Sequence, residues 1–563
     1  MIKSRIFCVL FFSLALYSFA AEVQVPDLET RIRNSGNVIP ENALPYLSSP
    51  RPSVLPEAPE ISGTLIVPDL AVPESPDSVH SVDADLNSFI PFEAQPTITG
   101  SALLGAGSPG TIRGELSLIR SALNTLDTSI PALVLDFHYD SADGYGLKSP
   151  GSGYFDRSVQ LAGMLASGDR SNIGKFSWFA GLDLRERTDG FQGLNTFYYS
   201  LNTRSVYWDS GLSDSILAAD LLTWGLSFSG SSLSVFADSP GGNSIPPDPQ
   251  ALTFIPNANR YQFLPTLYLN FNKELSGKTI PGFIAASLTG NYSFTGMADR
   301  GEFHKGGGDL SFAYRYKRVE TALFGGVHYD SNDGVLFPFS LRFLYDNLGS
   351  VFSHLSVEGG LSSEVSDPAE IRKKEPFARA DILPLVFSDW FGTLGVNVSP
   401  FETVSIASSL SYKTTAFSRE GWYLSSDAQE NGLLNIEMLH RDSLHLSSKA
   451  VWTPSFFSLS FGYSGEYLDP LYQTNLHLLS FGADVFDTGE FSKWKAGVSS
   501  VFSLDTSDIP LFDIYGTFKP AKNISILVTV KDAIPPLYGK NRERSGGYIA
   551  RSGEFLLSAR LDF

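Results

Sequence analysis

The C-terminal segment, Glu554-Phe555-Leu556-Leu557-Ser558-Ala559-Arg560-Leu561-Asp562-Phe563, is the most informative part of the chain for the fold. Successive side chains of a β-strand point to opposite faces. One face of this segment therefore carries an apolar row, formed by Phe555, Leu557, Ala559, Leu561 and Phe563. The opposite face includes Ser558, Arg560 and Asp562. This alternation predicts a terminal strand with one apolar and one polar face, and a chance edge strand is the alternative.

The same period of two residues recurs along residues 97–563. Clear examples are residues 133–138, 312–317, 339–344, 458–463 and 524–531. Aromatic residues often stand at the ends of such runs, where a sheet that spans a bilayer places its aromatic girdles. We therefore expect an all-β protein, a transmembrane antiparallel β-barrel of roughly 20–24 strands (about 22), because bacterial barrels close with an even number. An array of β-sandwiches is the competing all-β interpretation.

Connections between these runs are unequal in length. Tight turns are expected at residues 399–402, 453–455, 487–490 and 519–523. Counted back from Phe563, they all fall at one end of the barrel, and the longer connections 468–473, 505–510 and 534–551 fall at the other. Asp238–Arg260, the longest loop-like stretch, is expected at that second end. Short turns on one side and long loops on the other are typical of outer-membrane barrels.

Composition excludes several classes of protein. The 563 residues include 60 acidic and 41 basic residues, a formal charge of −19, which argues against a nucleic-acid partner. Mean hydropathy is near zero, which excludes a bundle of membrane helices. The best helical candidate, Glu115–Thr128, is short and lies between strand-like runs.

The first 20 residues have the pattern of a secretory signal peptide. Lys3 and Arg5 precede an apolar run over 6–16, and Ser18-Phe19-Ala20 supplies small residues for cleavage. An N-terminal membrane anchor is the alternative. The sole cysteine, Cys8, lies in the apolar run, so the mature chain is expected to contain no disulfide and no thiol ligand.

Residues 21–96 predict a largely disordered, acidic periplasmic arm. They hold 12 of the 33 prolines, and proline removes the backbone donors that helices and sheets need. Few apolar residues remain to offset the entropy of ordering. A plain linker, a docking peptide for a periplasmic partner and a small plug within the lumen are the alternatives for its role.

A terminal strand that alternates apolar residues and finishes in Phe resembles the sorting signal of bacterial outer-membrane barrels. The resemblance rests on Phe555, Leu557, Ala559, Leu561 and Phe563. It implies recognition by the barrel-assembly machinery. It also implies a location in the bacterial outer membrane, with outer-membrane lipid around the barrel.

The stretches Asn523–Asp532, Pro535–Tyr538 and Gly547–Phe555 resemble the closing hairpin of TonB-dependent receptors. In that family a strand ends in an Asn-Leu-Phe-Asp-like turn, whereas Lys531-Asp532-Ala533 stands here. Family members carry an N-terminal plug of well over a hundred residues. Only the proline-rich arm precedes the strands, so the resemblance implies a receptor-like barrel without that plug. Within the arm, Thr64-Leu65-Ile66-Val67 is similar to the family's energy-coupling box.

Motifs for catalysis and cofactors have poor support. Gly105–Gly110 matches the glycine pattern of a dinucleotide-binding loop, but it lacks the strand–turn–helix context of that loop. The segment therefore predicts a hairpin turn. His440 and His445 lie near Asp442 across a tight connection, and polar loop or lumen residues are favoured over an acid–base or metal site. We expect no enzyme activity, no cofactor and no metal.

Polar residues on the inward faces indicate the function. Arg315, Lys317, Arg342, Glu358, Arg560 and Asp562 are expected to line the lumen. An unobstructed lumen of this width is a water-filled channel. The sequence therefore favours a porin-like or TonB-receptor-like channel for small hydrophilic solutes. The alternative is a surface adhesin or receptor that presents Asp238–Arg260 and Ile534–Arg551 as contact loops.

Overall fold

The computed structural model describes residues 98–121, 123–124, 129–145, 147–167, 177–195, 198–215, 222–238, 259–276, 281–297, 301–346, 352–379, 381–428, 432–440, 442–467, 477–488, 493–505, 509–543 and 545–563. The expected signal peptide (1–20), the arm (21–96) and Thr64–Val67 lie outside these residues. Residues 239–258 of the longest expected loop also lie outside them.

Twenty-two of the described strands form one closed antiparallel barrel. They are β1 Ile98–Ser108, β2 Thr111–Arg120, β3 Ala132–Asp143, β4 Phe155–Ala166, β5 Ser177–Gly190, β6 Ser200–Ser215, β7 Leu222–Asp238, β8 Asn259–Ser276, β9 Pro281–Met297, β10 Gly301–Tyr316, β11 Val319–Asp330, β12 Phe339–Asp346, β13 Phe352–Leu361, β14 Asp389–Phe401, β15 Val404–Thr415, β16 Asp442–Trp452, β17 Phe457–Glu466, β18 His477–Phe486, β19 Trp494–Ser503, β20 Leu511–Ala521, β21 Ile524–Lys531 and β22 Glu554–Asp562. A short strand, Gly334–Leu336, extends the sheet beside β11.

Each barrel strand pairs with its neighbours in the chain, and β1 pairs with β22 to close the sheet. The closing ladder runs from Ser101 opposite Asp562 to Ser108 opposite Phe555. The backbone N–H of Phe563 donates to the Gly100 carbonyl at 2.8 Å, and the Gly100 N–H donates back at 2.7 Å. The predicted barrel and its predicted strand number are confirmed.

The connections singled out in the sequence fall at the expected ends of the barrel, but others do not follow the division of lengths: 109–110 is a two-residue turn at the end opposite Ile98, and 121–131 and 167–176 are longer connections at the end of Ile98. The connections at 402–403, 453–456, 487–493 and 522–523 share one end with Ile98 and Phe563. The connections 467–476, 504–510 and 532–553 all lie at the other end. Because outer-membrane barrels have short periplasmic turns and longer extracellular loops, we call these the periplasmic and outer ends.

Two local features of the sequence can be described more closely. In the weak helical candidate Glu115–Thr128, residues up to Arg120 belong to β2, which is paired on both sides by β1 and β3. Ladder pairing overrides weak local preference. In Gly105–Gly110 only Pro109 and Gly110 form the hairpin turn, since residues up to Ser108 belong to β1.

Apolar and polar faces alternate around the barrel wall. On β22 the outward Phe555 and Leu557 are exposed, whereas the inward Ser558 is buried. Outward apolar residues meet the lipid of a membrane, and inward residues meet the lumen. The predicted lumen residues lie on inward faces with one exception. Lys317 is in the tight turn after β10, where its φ of 53° reverses the chain.

Strand length varies around the barrel. Strands β5–β10 have 14 to 18 residues, and we call them the tall wall. Strands β12–β22 have 8 to 13 residues, and we call them the short wall. A tilted strand needs only about 9–11 residues to cross a bilayer. On β10 the outward residues Leu310 and Phe312 are apolar, whereas Glu302 and His304 above them are polar, so the apolar belt of this strand ends below its outer tip.

Helices are few in the described part of the chain: α1 Pro368–Lys374, α2 Ile534–Leu537 and a 3₁₀ turn at Ser545–Gly547. None of the helices there is long and apolar enough to cross a membrane.

Candidate functional site

Three long connections that leave the short wall fold over the outer mouth of the barrel, and we call their described residues the cap. The first, 362–388, contains α1 and the paired strands Glu364–Ser366 and Leu385–Phe387. The second, 416–441, contains the hairpin of Gly421–Ala428 and Leu434–Leu439. The third, 532–553, contains α2 and the 3₁₀ turn.

The first two connections form one unit. A parallel bridge joins Ala378 to Leu434, and the Leu434 N–H donates to the Phe377 carbonyl at 2.9 Å. The indole N–H of Trp422 donates to the Leu383 carbonyl at 3.0 Å. These bonds satisfy backbone groups that the loops would otherwise leave unpaired beneath the surface.

An apolar cluster joins the cap to the tall wall. From the outer ends of the tall strands it takes Phe191, Leu201, Val235 and Met297, and from the cap Phe377, Leu433, Leu434 and Tyr548. The rings of Phe377 and Tyr548 are stacked with centroids 3.9 Å apart. The Tyr548 hydroxyl donates to the Gly432 carbonyl, and burial raises the pKa of Tyr548 above its usual range. The cluster therefore holds all three connections against one wall.

Asp367 anchors the first connection through a buried ion pair. Both of its carboxylate oxygens accept from Arg260, at the outer end of β8. Asp367 also caps α1, since it accepts from the Ala369 N–H at 2.8 Å. Removing one member of such a pair leaves an uncompensated buried charge, which is strongly destabilising.

Arg419 anchors the second connection. Its guanidinium donates to Asp330, at the outer end of β11, at 2.9 Å and to the Asp333 carbonyl at 2.8 Å. Asp330 and Arg419 are only 2% and 9% exposed. The pair is therefore buried between wall and cap.

Arg551 anchors the third connection. It donates to Asp140 of β3 at 2.7 Å, to Asp156 of β4 at 3.2 Å and to Glu554 of β22 at 2.8 Å. The guanidinium thus ties the two sides of the barrel closure together at the outer end. Charge-assisted bonds of this kind are about twice as strong as neutral ones.

A cavity of about 240 Å³ lies between α1 and the inner faces of β3–β8. Its charged lining includes Arg185 and Arg187 of β5, Arg260 of β8, and Arg372 and Lys373 of α1, together with the carboxylates of Glu186, Asp367 and Glu370. Arg372 donates to the Ala378 carbonyl at 2.7 Å. Burial lowers the pKa of Arg372 to about 10, so its guanidinium stays charged at neutral pH.

The histidines that the sequence singled out do not share one site. His440 lies 3.7 Å from Asp442, whereas His445 faces Glu466 of β17 at 3.4 Å. Asp442 also accepts from Thr414. In the part of the chain that the structure describes, no group of three His, Cys, Asp or Glu residues is placed to hold a metal ion.

Sequence reasoning missed the anchors of the cap. The order Asp367-Pro368 does signal a helix start, because Asp favours the N-cap and Pro the first helical turn. Nothing in the sequence couples Arg260 to Asp367, which is 107 residues away. The pair exists because the barrel brings β8 beneath the connection between β13 and β14.

Comparison with known proteins supports the fold. No protein-family model and no curated protein matches the chain. The siderophore receptor PirA from Acinetobacter baumannii matches with a TM-score of 0.57 and 10% identity, over 84% of this chain and 81% of that one. The FrpB iron transporter from Neisseria meningitidis (F3-3 variant) matches with a TM-score of 0.58 and 8% identity, over 84% and 82%.

A third solved structure is the ferripyoverdine receptor of the outer membrane of Pseudomonas aeruginosa bound to ferripyoverdine. It matches with a TM-score of 0.54 and 11% identity, over 84% of this chain and 72% of that one. These neighbours are TonB-dependent siderophore receptors, and the large closed barrel is the feature that this chain shares with them. At such identities the likeness shows the fold alone.

Proposed function

We propose that this protein is an outer-membrane transport protein that carries small hydrophilic solutes through a gated lumen. The observation that carries the proposal is a closed barrel with polar inward faces whose own connections cap the outer mouth above a polar cavity. The structural neighbours are receptors and transporters of small solutes, which supports a transport role over an enzymatic one.

The cap supplies the gate in this proposal. A solute that enters from outside must pass between the cap and the tall wall, where Arg260–Asp367 and Arg419–Asp330 hold the two together. Ion pairs and hydrogen bonds can break and re-form without chain unfolding. Loop motions that open a site occur on microsecond to millisecond timescales.

The proposal includes the segments outside the described residues. Residues 1–20 direct export and are removed, and residues 21–96 form a periplasmic arm in place of a folded plug. The arm contacts a periplasmic partner, with Thr64–Val67 as the candidate energy-coupling segment. The apolar row from Phe555 to Phe563 is recognised by the barrel-assembly machinery, and lipid then surrounds the barrel.

Planar-bilayer conductance tests the transport proposal. The mature chain is compared with and without residues 21–96, each with and without Asp367→Asn, which weakens the cap anchor. We expect larger or more frequent conductance steps from Asp367→Asn. Steps that also require deletion of 21–96 would assign the arm to the lumen. Absence of steps from all four proteins overturns transport.

A second candidate function, a surface receptor or adhesin, is favoured by one feature of the third connection. Leu537 and Tyr538 are 81% and 72% exposed at the outer end. Exposed apolar residues of this size often mark contact with another molecule. Substituting both by Ser and measuring adhesion of expressing cells distinguishes this function, since it leaves conductance unchanged.

A further inference from the structure

The cavity beneath α1 has a cationic surface although Arg185 and Arg187 are each paired with an aspartate. Arg185 binds Asp183 at 2.5 Å, and Arg187 binds Asp189 at 2.8 Å. The arginines are 46% and 36% exposed, whereas their aspartates are 20% and 7% exposed. The carboxylates therefore lie behind the guanidinium groups, and the positive groups face the water of the cavity.

Lys373 of α1 faces Arg185 across the cavity. Both lie over the ring of Tyr207, with Nζ of Lys373 at 5.1 Å and Cζ of Arg185 at 5.5 Å from its centroid. Glu370 binds Lys373 at 2.6 Å, and the other accessible carboxylate of the lining, Glu186, binds Arg204 at 3.3 Å. Wall and cap thus each contribute an accessible cation to one place.

Arg372 adds a charge without a counter-ion. Its guanidinium donates to the Ala378 carbonyl at 2.7 Å and to the Thr203 hydroxyl at 3.5 Å, and its Nε has no hydrogen-bond partner. Among the described residues no carboxylate lies within 4.0 Å of it. The nearby Asp189 and Asp381 are held by Arg187 and Arg379. A buried cation left uncompensated favours the approach of an anion.

Uncharged polar groups surround these cations. The lining also contains Ser158, Gln160, Ser205, Ser231 and Gln262. Hydroxyl and amide side chains both donate and accept hydrogen bonds, which suits a ligand that carries hydroxyl groups. The cavity volume of about 240 Å³ lies below the ~300–1,000 Å³ of pockets for drug-sized ligands, so the ligand is small.

We propose that this cavity binds a small anionic solute with several hydroxyl groups, of the chemical class of sugar acids and sugar phosphates. Its carboxylate or phosphate lies between Arg185, Arg187 and Lys373, with Arg372 behind them. The inference deepens the proposed function and rests on it, since the bound solute is taken to be the one transported. It also explains why α1 belongs to the cap: closure completes the site.

Isothermal titration calorimetry on the mature chain in detergent tests the proposal. The probes are D-gluconate, glucose 6-phosphate and uncharged glucose. We expect the two anions to bind and glucose to bind at least about tenfold more weakly, as expected for loss of charge-assisted bonds. The stronger of the two anions identifies the acid group. Equal binding of glucose and both anions, or no binding of either anion, overturns the proposal.

Matched variants locate the site. Arg185→Gln with Lys373→Gln is expected to weaken anion binding by about tenfold or more. Arg157→Gln removes one positive charge from the outward face of the adjacent wall on β4 and is matched with Lys373→Gln alone, which also removes one; unchanged affinity is expected for Arg157→Gln. If the double variant fails to fold, Lys373→Gln alone replaces it, because this side chain is accessible. Equal weakening by Arg157→Gln overturns the assignment to the cavity.

Conductance separates this inference from the transport proposal. If the protein conducts but binds neither anion, the anion site is overturned and the transport proposal stands. Anion binding by a protein that never conducts, with or without the arm and the Asp367→Asn substitution, overturns transport and leaves the site.

Discussion

The tall wall and the short wall share the same alternation of apolar and polar residues but differ in strand length and in their relation to the cap. Short-wall strands of 8 to 13 residues are close to the length that a bilayer requires, whereas tall-wall strands of 14 to 18 exceed it. All three connections of the cap leave the short wall, and their apolar residues pack on the tall wall. The height difference therefore turns loops that would otherwise project outward into a buried layer across the mouth.

This contrast also separates two kinds of surface on the tall wall. Its lower outward face is apolar and suits lipid, while its upper inward face buries Leu201, Val235 and Met297 against the cap. In a barrel of uniform height the cap would have no lateral surface to contact. Stability of the cap and stability of the barrel are thus separable quantities.

The largest expected effect comes from Asp330→Ala. The substitution leaves the Arg419 guanidinium buried without its carboxylate partner, which costs about 3–5 kcal/mol of cap stability. Native-state hydrogen exchange in residues 416–441 measures the free energy of local opening. Asp333→Ala is the matched control, because only backbone groups of Asp333 bond to Asp330 and Arg419. Equal protection in the two variants would show that the cap does not depend on this anchor.

A pair of substitutions on β10 tests the height of the tall wall. Phe312→Arg places a charge in the apolar belt and is expected to cost about 2–4 kcal/mol, whereas His304→Arg above the belt costs about 0–1 kcal/mol. Urea unfolding of the protein in liposomes measures both. Similar costs at the two positions would mean that the upper part of β10 is also within the membrane.

Tyr548→Phe removes the hydroxyl bond to Gly432 while keeping the stacked ring. We expect a loss of about 1 kcal/mol in cap stability, typical of one buried hydrogen bond. Local hydrogen exchange of residues 432–440 provides the measurement. The control Tyr538→Phe, at an exposed position in the same connection, is expected to have no effect.

The smallest effect is expected from Glu370→Gln. Its ion pair with Lys373 is accessible to solvent, so the contribution to cap stability is about 0–1 kcal/mol. Proteolysis of residues 362–388 in the folded protein is the readout, with Asp367→Asn as the sensitive comparison. A loss of protection as large as that of Asp367→Asn would contradict the distinction between buried and accessible pairs.

Much of the barrel was predictable from residues close together in the chain. Phe555, Leu557, Ala559 and Leu561 share one face of β22, as the alternation predicted, and the strand number falls in the predicted range. Both follow because a strand's period of two is read directly from adjacent residues. Lys317 was placed wrongly because alternation alone does not show where a strand ends and its turn begins.

The candidate site was much less predictable. Arg260, Asp367 and Arg372 look like ordinary loop or strand-end charges in the sequence, and their partners are far away in the chain. His440 and His445 attracted notice because they are close in sequence, yet they contact different carboxylates. Proximity along the chain was a poor guide wherever the barrel brought distant strands together.

Local alternation was enough to predict the barrel, and turn composition placed the long C-terminal connections at one end of it. Both patterns depend only on residues that are neighbours in the chain. Closure of the sheet decided which connections form the cap and which wall they contact. It also decided which arginine side chains lie without a carboxylate partner. Closure brings strand ends such as Arg260 within reach of connections such as the one that holds Asp367, more than a hundred residues later. The physical reason is that hydrophobic periodicity acts between neighbours, whereas buried charge pairing acts only between groups that the folded wall has already brought together.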